Sequence, residues 1–359
     1  MNPTAYISDL SCHLPGRVVT NEELHRENPD WDTERIASKT GIESRRIAAE
    51  DETAADLAFS AAEQMFANGS ISRGQIDYLL FCTQSPDYLL PASSCILQDR
   101  LGLPVHCGAI DINQGCSGYV YGLQLANALI ASGTANSVLL LTGETYSKYI
   151  HPRDRSVRVL FGDAGTATAI GAAVRGAKFV TSIVGTDGSG YKNLIVPAGG
   201  SRLPSSNSSP CESCDDNGNV RTAANLFMDG QELFAFTLRR VPGLVEALLV
   251  KGGLTANDVD AFVFHQANAF MNEHLRGKMR LPKEKVPLAL RDVGNTVSNT
   301  LPLTLAQVGH NFARGNKIAL VGFGVGYSWG ACLLEWGDVV LSGPFASAEQ
   351  GSSQVTSAA

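Results

Sequence analysis

The chain reads as an α/β fold made of two duplicated halves, and three observations carry that reading. Short apolar runs alternate with helical stretches, as strands buried on both faces do. Matched segments recur about 180 residues apart: Gln75–Thr83 (QIDYLLFCT) with Asp258–Gln266 (DVDAFVFHQ), Asn136–Thr142 (NSVLLLT) with Asn316–Gly322 (NKIALVG), and Asp111–Leu123 (DINQGCSGYVYGL) with Asp292–Thr304 (DVGNTVSNTLPLT). At 359 residues, the chain is long enough for two such halves with filled cores. The first half is placed at 1–175 and the second at 176–340, followed by a polar, small-residue tail at 341–359 that is expected to be flexible.

The elements follow in order. Leu57–Phe66 has helical periodicity and precedes the strand in Gln75–Thr83. Ala109–Ile112 is a second strand, and a helical pattern begins right after it with Tyr119, Leu123, Leu125, Ala126 and Leu129. The strand of Asn136–Thr142 closes this run. Gly199–Asn219 is rich in Ser, Gly, Pro and Asp and reads as an exposed loop. Gln231–Leu249 reads as a long amphipathic helix ahead of the second set of strands, which ends in ACLLEW around Cys332. A duplicated fold has a pseudo-twofold axis, so equivalent strand ends converge, and ligands of α/β folds gather where strands run into helices.

Composition narrows the function. Hydrophobic residues make up 44% and charged residues 18%, which fits a folded globular chain. A formal net charge of −7 argues against general nucleic-acid binding, which depends on neutralising phosphates. No basic segment precedes an apolar run in Met1–Leu10, and no run reaches the length of a membrane span. A cytoplasmic protein with eight reduced cysteines is expected.

Cys116 occupies the turn between the strand Ala109–Ile112 and the following helix, among the small residues Gly115, Ser117 and Gly118. A helix N-terminus favours thiolate over thiol, and a thiolate attacks thioesters readily. The same position also suits a structural cysteine. His265 ends the equivalent strand in the second half, where a buried structural histidine is the plainer alternative. Asn295 follows Gly294 in a loop and can offer an amide N–H or merely cap a turn. Gly322–Gly326 (GFGVG) fits a hairpin, a phosphate loop or half of an oxyanion hole. Cys211 and Cys214 have metal-type spacing without a second pair, so a zinc site is not expected.

Together with TGIESRRIAAEDETAADLA (Thr40–Ala58), DINQGCSGYVYGL, RVLFGDAGTA (Arg158–Ala167), MDGQELF (Met228–Phe234), FHQAN (Phe264–Asn268), GNT (Gly294–Thr296) and GFGVGYSWGACL (Gly322–Leu333), these residues give the chain its family likeness. From about Tyr6 to Trp336 it resembles β-ketoacyl-acyl-carrier-protein synthase III, in the thiolase superfamily. The resemblance implies a thiolase-like five-layered αβαβα sandwich and a homodimer. It also implies a Cys–His–Asn triad at Cys116, His265 and Asn295, with the backbone N–H groups of Cys116 and Val325 as oxyanion donors. The implied reaction is decarboxylative condensation of an acyl-CoA primer with malonyl-ACP or malonyl-CoA. CoA and phosphopantetheine thioesters then serve as substrates, and no metal or redox cofactor takes part. Arg35, Arg155, Asn268 and Phe323 fall at substrate-contact positions, and Leu90 falls at the acyl gate of the neighbouring subunit.

This sequence departs from the family pattern in places. Val325 stands where a run of glycines is usual after the phenylalanine, and Arg35 stands where a tryptophan often stacks on adenine, with Trp31 four residues earlier. A specialised paralogue with a primer other than acetyl is one reading. A non-decarboxylating acyltransferase to an alcohol or amine is the alternative. A thiolase would need a second active cysteine where Asn295 and Val325 stand, and a papain-like hydrolase fits neither the motifs nor the duplication. Acyl carrier protein is acidic, so Arg276, Lys278 and Arg280 after the catalytic-histidine strand form a candidate dock, with a solvated helix face as the plain alternative.

Overall fold

The computed structural model describes residues 3–207 and 211–345. Nine strands form one continuous ladder: β1 (Tyr6–His13), β2 (Tyr78–Cys82), β3 (Gly108–Ile112), β4 (Ser137–Glu144), β5 (Ala164–Gly171), β6 (Ala177–Thr186), β7 (Ala261–Phe264), β8 (Lys317–Gly324) and β9 (Ser328–Glu335). Their spatial order is β7-β8-β9-β6-β1-β5-β4-β2-β3. From the centre outward, β1-β5-β4-β2 in one direction repeats β6-β9-β8-β7 in the other. The fold is therefore two copies of one half, joined where β1 pairs with β6 at Tyr6↔Lys178 and Ile7↔Ala177. Only β3 lacks a counterpart in the second half, which leaves it an edge strand.

The period of two along each strand builds the layers. On β2, Leu80 and Cys82 face the central core, while Leu79 and Phe81 face an outer one. Val138 and Leu140 of β4 point inward, and Leu139 and Leu141 point outward. In the second half, Val263 and Leu320 join the central core, while Phe262, Phe264 and Val321 join a third cluster. Two helices fill the centre: α3 (Gly118–Ala131) and α6 (Thr300–Val308), each touching strands of both halves. Outside the first sheet lie α1 (Ala54–Ala67) and α2 (Ser93–Arg100). Outside the second lie α4 (Gly230–Gly252) and α5 (Ala269–Lys278). The result is the αβαβα sandwich.

Local chemistry starts and stops these helices. Thr53 and Asp56 form a reciprocal capping box on α1, which buries Leu57, Ala58, Ala61, Ala62 and Met65 on one face. Asp229 caps α4 by accepting from the N–H groups of Gln231 and Glu232, and Gly253 ends that helix in the left-handed conformation.

Two expectations need adjustment. Residues 341 and 342 are not a flexible tail, because Val340–Ser342 pairs in parallel with β1; the rest of the expected tail from residue 346 on lies outside the described residues. The exposed loop at 199–219 is anchored at its end. Asp215 accepts from the N–H groups of Asn217 and Asn219 and pairs with Arg221, which also pairs with Asp154 at 2.8 Å.

Candidate active site

Cys116 lies in a tight turn after β3, where the N–H of Gly118 donates to the carbonyl of Gly115. The helix begins at Gly118 with Ser117 as its N-cap, so Cys116 precedes the helix by two positions. Packing around it is close. A Cβ on Gly322 would lie 2.7 Å from the Cys116 carbonyl oxygen, and one on Gly324 would lie 2.9 Å from Sγ. Glycines on β8 are thus what lets that strand pass directly behind the sulfur.

The backbone N–H groups of Val325 and of Cys116 itself both reach Sγ. They sit in the hairpin between β8 and β9, and in the turn before α3, respectively. Burial works against the thiolate that the helix terminus favours. Cys116 is 4% exposed, and burial pushes its thiol up to about 12 against the pull of those two N–H groups.

His265 follows β7 directly and is buried, with its N–H donating to the carbonyl of Val321. Its Nδ1 lies 2.7 Å from the hydroxyl oxygen of Thr300, at the start of α6. Burial depresses the imidazole to about 3, so it is neutral at any ordinary pH. Phe323 meets it edge to face, with ring centres 5.5 Å apart.

Asn295 is held from two sides. Its N–H donates to the carbonyl of Leu160 at 2.8 Å, and its carbonyl accepts from the N–H of Gly162 at 3.0 Å, so first-half backbone fixes a second-half residue. Gly294 supplies the positive φ of +71° that this approach requires; a Cβ there would stand 2.7 Å from the Leu160 carbonyl. The side-chain Oδ1 accepts the N–H of Val297 at 2.9 Å. With its oxygen committed there, the amide leaves its N–H₂ as the group available to a substrate. Val297 itself has φ +56°, uncommon for a β-branched residue.

Cys116, His265, Asn295 and Phe323 open into one cavity. Its other walls are mostly apolar: Leu160 and Phe161 after the short helix Arg155–Arg158, Leu194, Met228, Leu233 on α4 and Met271 on α5. Asn268 lines it as well, although its Oδ1 is used to cap α5 by accepting from the N–H of Met271 at 2.8 Å. The remaining expected residues lie outside this cavity. Val325 offers its N–H but turns its side chain toward Gly115. Arg35 is exposed on the helix Thr33–Thr40, and Arg155 is half-buried with no ion pair among the described residues. Trp31 is buried against Val19, Leu24 and Val159, in a core rather than on a surface where a ring could stack. Leu90 is 81% exposed, beside Leu89 at 88% and Tyr88 at 63%, so this stretch does not wall its own cavity. In the candidate dock, Arg276 is committed locally. It pairs with Glu273 at 2.8 Å and donates to the Leu281 carbonyl at 2.7 Å, leaving Lys278 and Arg280 as the exposed cations of that trio.

Sequence reasoning missed Glu144 and Thr300. Glu144 ends β4, is fully buried, and accepts from the Gln84 N–H, the Ser85 hydroxyl and the Ser298 hydroxyl. A charge closing an apolar strand (SVLLLTGE) was a usable signal. Thr300 gave none beyond resembling a helix-start residue. Among the described residues, no group of three or more His, Cys, Asp or Glu side chains is placed to hold a metal, and no helix is long and apolar enough to cross a membrane.

Family models described as 3-oxoacyl-[acyl-carrier-protein (ACP)] synthase III and as its C-terminal region match residues 110–188 and 249–336. The β-ketoacyl-[acyl-carrier-protein] synthase III of Caldanaerobacter subterraneus subsp. tengcongensis is 34% identical over 334 residues, covering 92% of this chain and 98% of that protein. The chain belongs to the β-ketoacyl-[acyl-carrier-protein] synthase III family. A crystal structure of a 3-oxoacyl-(acyl-carrier-protein) synthase III is 51% identical and superposes with a TM-score of 0.90, over 93% of this chain and all of that one. The 3-oxoacyl-(acyl-carrier-protein) synthase of Burkholderia xenovorans LB400 is 38% identical, with a TM-score of 0.85 over 95% of this chain and 97% of that one. This synthase III chain thus matches its relatives across both halves.

Proposed function

We propose that this synthase III chain joins an acyl-CoA primer to a malonyl thioester, carried on acyl carrier protein or CoA, through an acyl-Cys116 intermediate. The product is a 3-oxoacyl thioester. The observation that supports this most directly is the meeting of Cys116, His265 and Asn295 in one apolar cavity, with two backbone N–H groups beside the sulfur.

The chemistry follows from that arrangement. The Cys116 sulfur adds to the primer carbonyl, and the resulting oxyanion accepts from the N–H groups of Cys116 and Val325. CoA leaves, and the proton lost by Cys116 ends on the CoA sulfur. A malonyl thioester then enters. His265 and Asn295 donate to its carbonyl oxygen as the C–CO₂ bond breaks, so the electron pair rests in an enolate rather than on a bare carbanion. The enolate carbon forms a bond to the acyl carbon, and Cys116 leaves as a thiolate that takes a proton from water. A dry, apolar cavity strengthens each of these hydrogen bonds.

Arg155 and the exposed Arg35 suit the phosphates of CoA, while Phe323 and Asn268 suit the pantetheine end of either substrate. The same reading takes the chain to act as a cytoplasmic homodimer. Exposed Tyr88, Leu89 and Leu90, together with the unpaired edge of β3, are the surface that a second copy would cover. Val325 in place of glycine narrows the turn beside the sulfur and is consistent with a specialised primer.

Intact-mass spectrometry after incubation with a panel of acyl-CoAs tests the reading. One acyl group should add to wild type and none to Cys116→Ala; equal labelling of both would refute it. Labelled malonyl thioester added next should release carbon dioxide. Transfer of the acyl group to an alcohol or amine without malonyl would move the assignment to a simple acyltransferase.

A further inference from the structure

We propose that Thr300 is the positioning residue of His265: its hydroxyl donates to Nδ1 and keeps the imidazole proton on Nε2. The inference rests on the reading above, in which His265 donates a hydrogen bond to the malonyl carbonyl. A neutral imidazole can do that from Nε2 only if Nε2 carries the hydrogen.

Thr300 has one O–H and two acceptors within reach. Its oxygen is 2.7 Å from His265 Nδ1 and 3.0 Å from the Val297 carbonyl. That carbonyl already accepts the backbone N–H of Thr300, so it loses little if the hydroxyl turns away. Nδ1 has no other hydrogen-bond partner among the described residues. The 2.7 Å contact is at the short end of the range for an N–H donating to oxygen. Both residues are 2% exposed, so solvent does not compete for either group. The neutral state of the ring, described above, makes its tautomer the variable that matters.

The geometry upstream makes this more than a local contact. Val297 donates its N–H to Asn295 Oδ1, and three residues later Thr300 reaches His265. One turn, with its positive φ at Val297, thereby fixes both proposed donors: it holds the amide by its oxygen and the imidazole by its Nδ1. Thr300 is also well suited to hold a direction. It is β-branched, it opens α6, and its own carbonyl accepts the Thr304 hydroxyl at 2.8 Å.

The test uses ring ¹⁵N NMR on the full chain with labelled histidine, with His265 assigned by its loss in His265→Gln. Wild type should show Nε2 as the protonated nitrogen and Nδ1 as the bare one. In Thr300→Val, which removes the hydroxyl but keeps the shape, the other tautomer should become populated. Malonyl decarboxylation should then fall about tenfold or more, in line with losing an aligned oxyanion donor, while acyl loading of Cys116 stays near wild type. Thr300→Ser should restore both the tautomer and the rate. Protonated Nδ1 in wild type overturns the assignment without any variant. So does a Thr300→Val protein that decarboxylates like wild type while His265→Ala is slow. A wild-type rate in His265→Ala itself overturns the role of His265, and with it the role given to Thr300.

Discussion

Ser298 donates its hydroxyl to Glu144 at 3.0 Å, so the loop that carries Asn295 is tied to a carboxyl of the half that carries Cys116. Burial pushes that carboxyl up to about 8, even though three donors favour its charged form. The folded chain therefore keeps a proton that the unfolded chain loses near the ordinary value of 4.5. The resulting stability is fully present below about pH 4.5 and is lost as pH rises to about 8. Asp163 behaves alike over a lower window, raised to about 6 by burial. Comparing wild type with Glu144→Gln cancels the Asp163 contribution. The melting-temperature advantage of wild type over the variant should shrink steadily across that window and then level off. A difference independent of pH would show that Glu144 is ionised throughout.

The thiol of Cys116 should show its high pKa directly. Iodoacetamide reacts with thiolate, so the alkylation rate should climb about tenfold per pH unit from 7 to 9 without a plateau. Above about pH 8, where Glu144 ionises, Glu144→Gln should make alkylation faster than in wild type by removing a nearby negative charge. A plateau below pH 8 in wild type would mean that the thiolate is already formed.

His265→Ala and Asn295→Ala separate the two half-reactions. Both should accept an acyl group on Cys116, because the oxyanion donors of that step are backbone N–H groups. Release of labelled carbon dioxide should fall about 10²- to 10³-fold in each, the usual cost of one preorganised donor. Wild-type release from either variant removes that residue from the mechanism.

Lys278 and Arg280 are the cations to reverse at the proposed carrier-protein dock. Changing both to Glu should raise KM for malonyl carrier protein and leave acyl-CoA loading intact, with a salt dependence that weakens in the variant. Arg276→Glu should instead lower stability, because Arg276 holds Glu273 and the Leu281 carbonyl. Unchanged KM in the double variant would place the dock elsewhere.

Leu90→Ala tests the second copy. If the partner's Leu90 closes the acyl chamber, shortening it should extend the range of acyl-CoAs that load Cys116. A dimer by light scattering with an unaltered acyl profile would separate assembly from selectivity.

Much of this was legible before any coordinates. Strand period, repeat offset and small-residue turns are local properties, so the two halves, the Cys116 turn, the strand end at His265 and the loop of Asn295 could be read from the chain. What stayed hidden depends on distant neighbours. The Cys116 turn shows its helix terminus in the sequence, but not its burial, which works against the thiolate. Arg276 looks like a free cation until Glu273 and the carbonyl of Leu281 fold back onto it. Thr300 becomes meaningful only when a histidine 35 positions upstream arrives beside it.

The backbone bonds from Asn295 to Leu160 and Gly162 have a practical consequence for anyone redesigning the primer range. Leu160 and Phe161 wall the cavity, and they belong to the same few peptide units that hold Asn295 in place. Chamber size and donor alignment are therefore mechanically linked. A library that shortens the side chains at positions 160 and 161 should recover many variants that load bulky acyl groups and then stall, so a screen for loading alone would enrich dead-end acyl-enzymes.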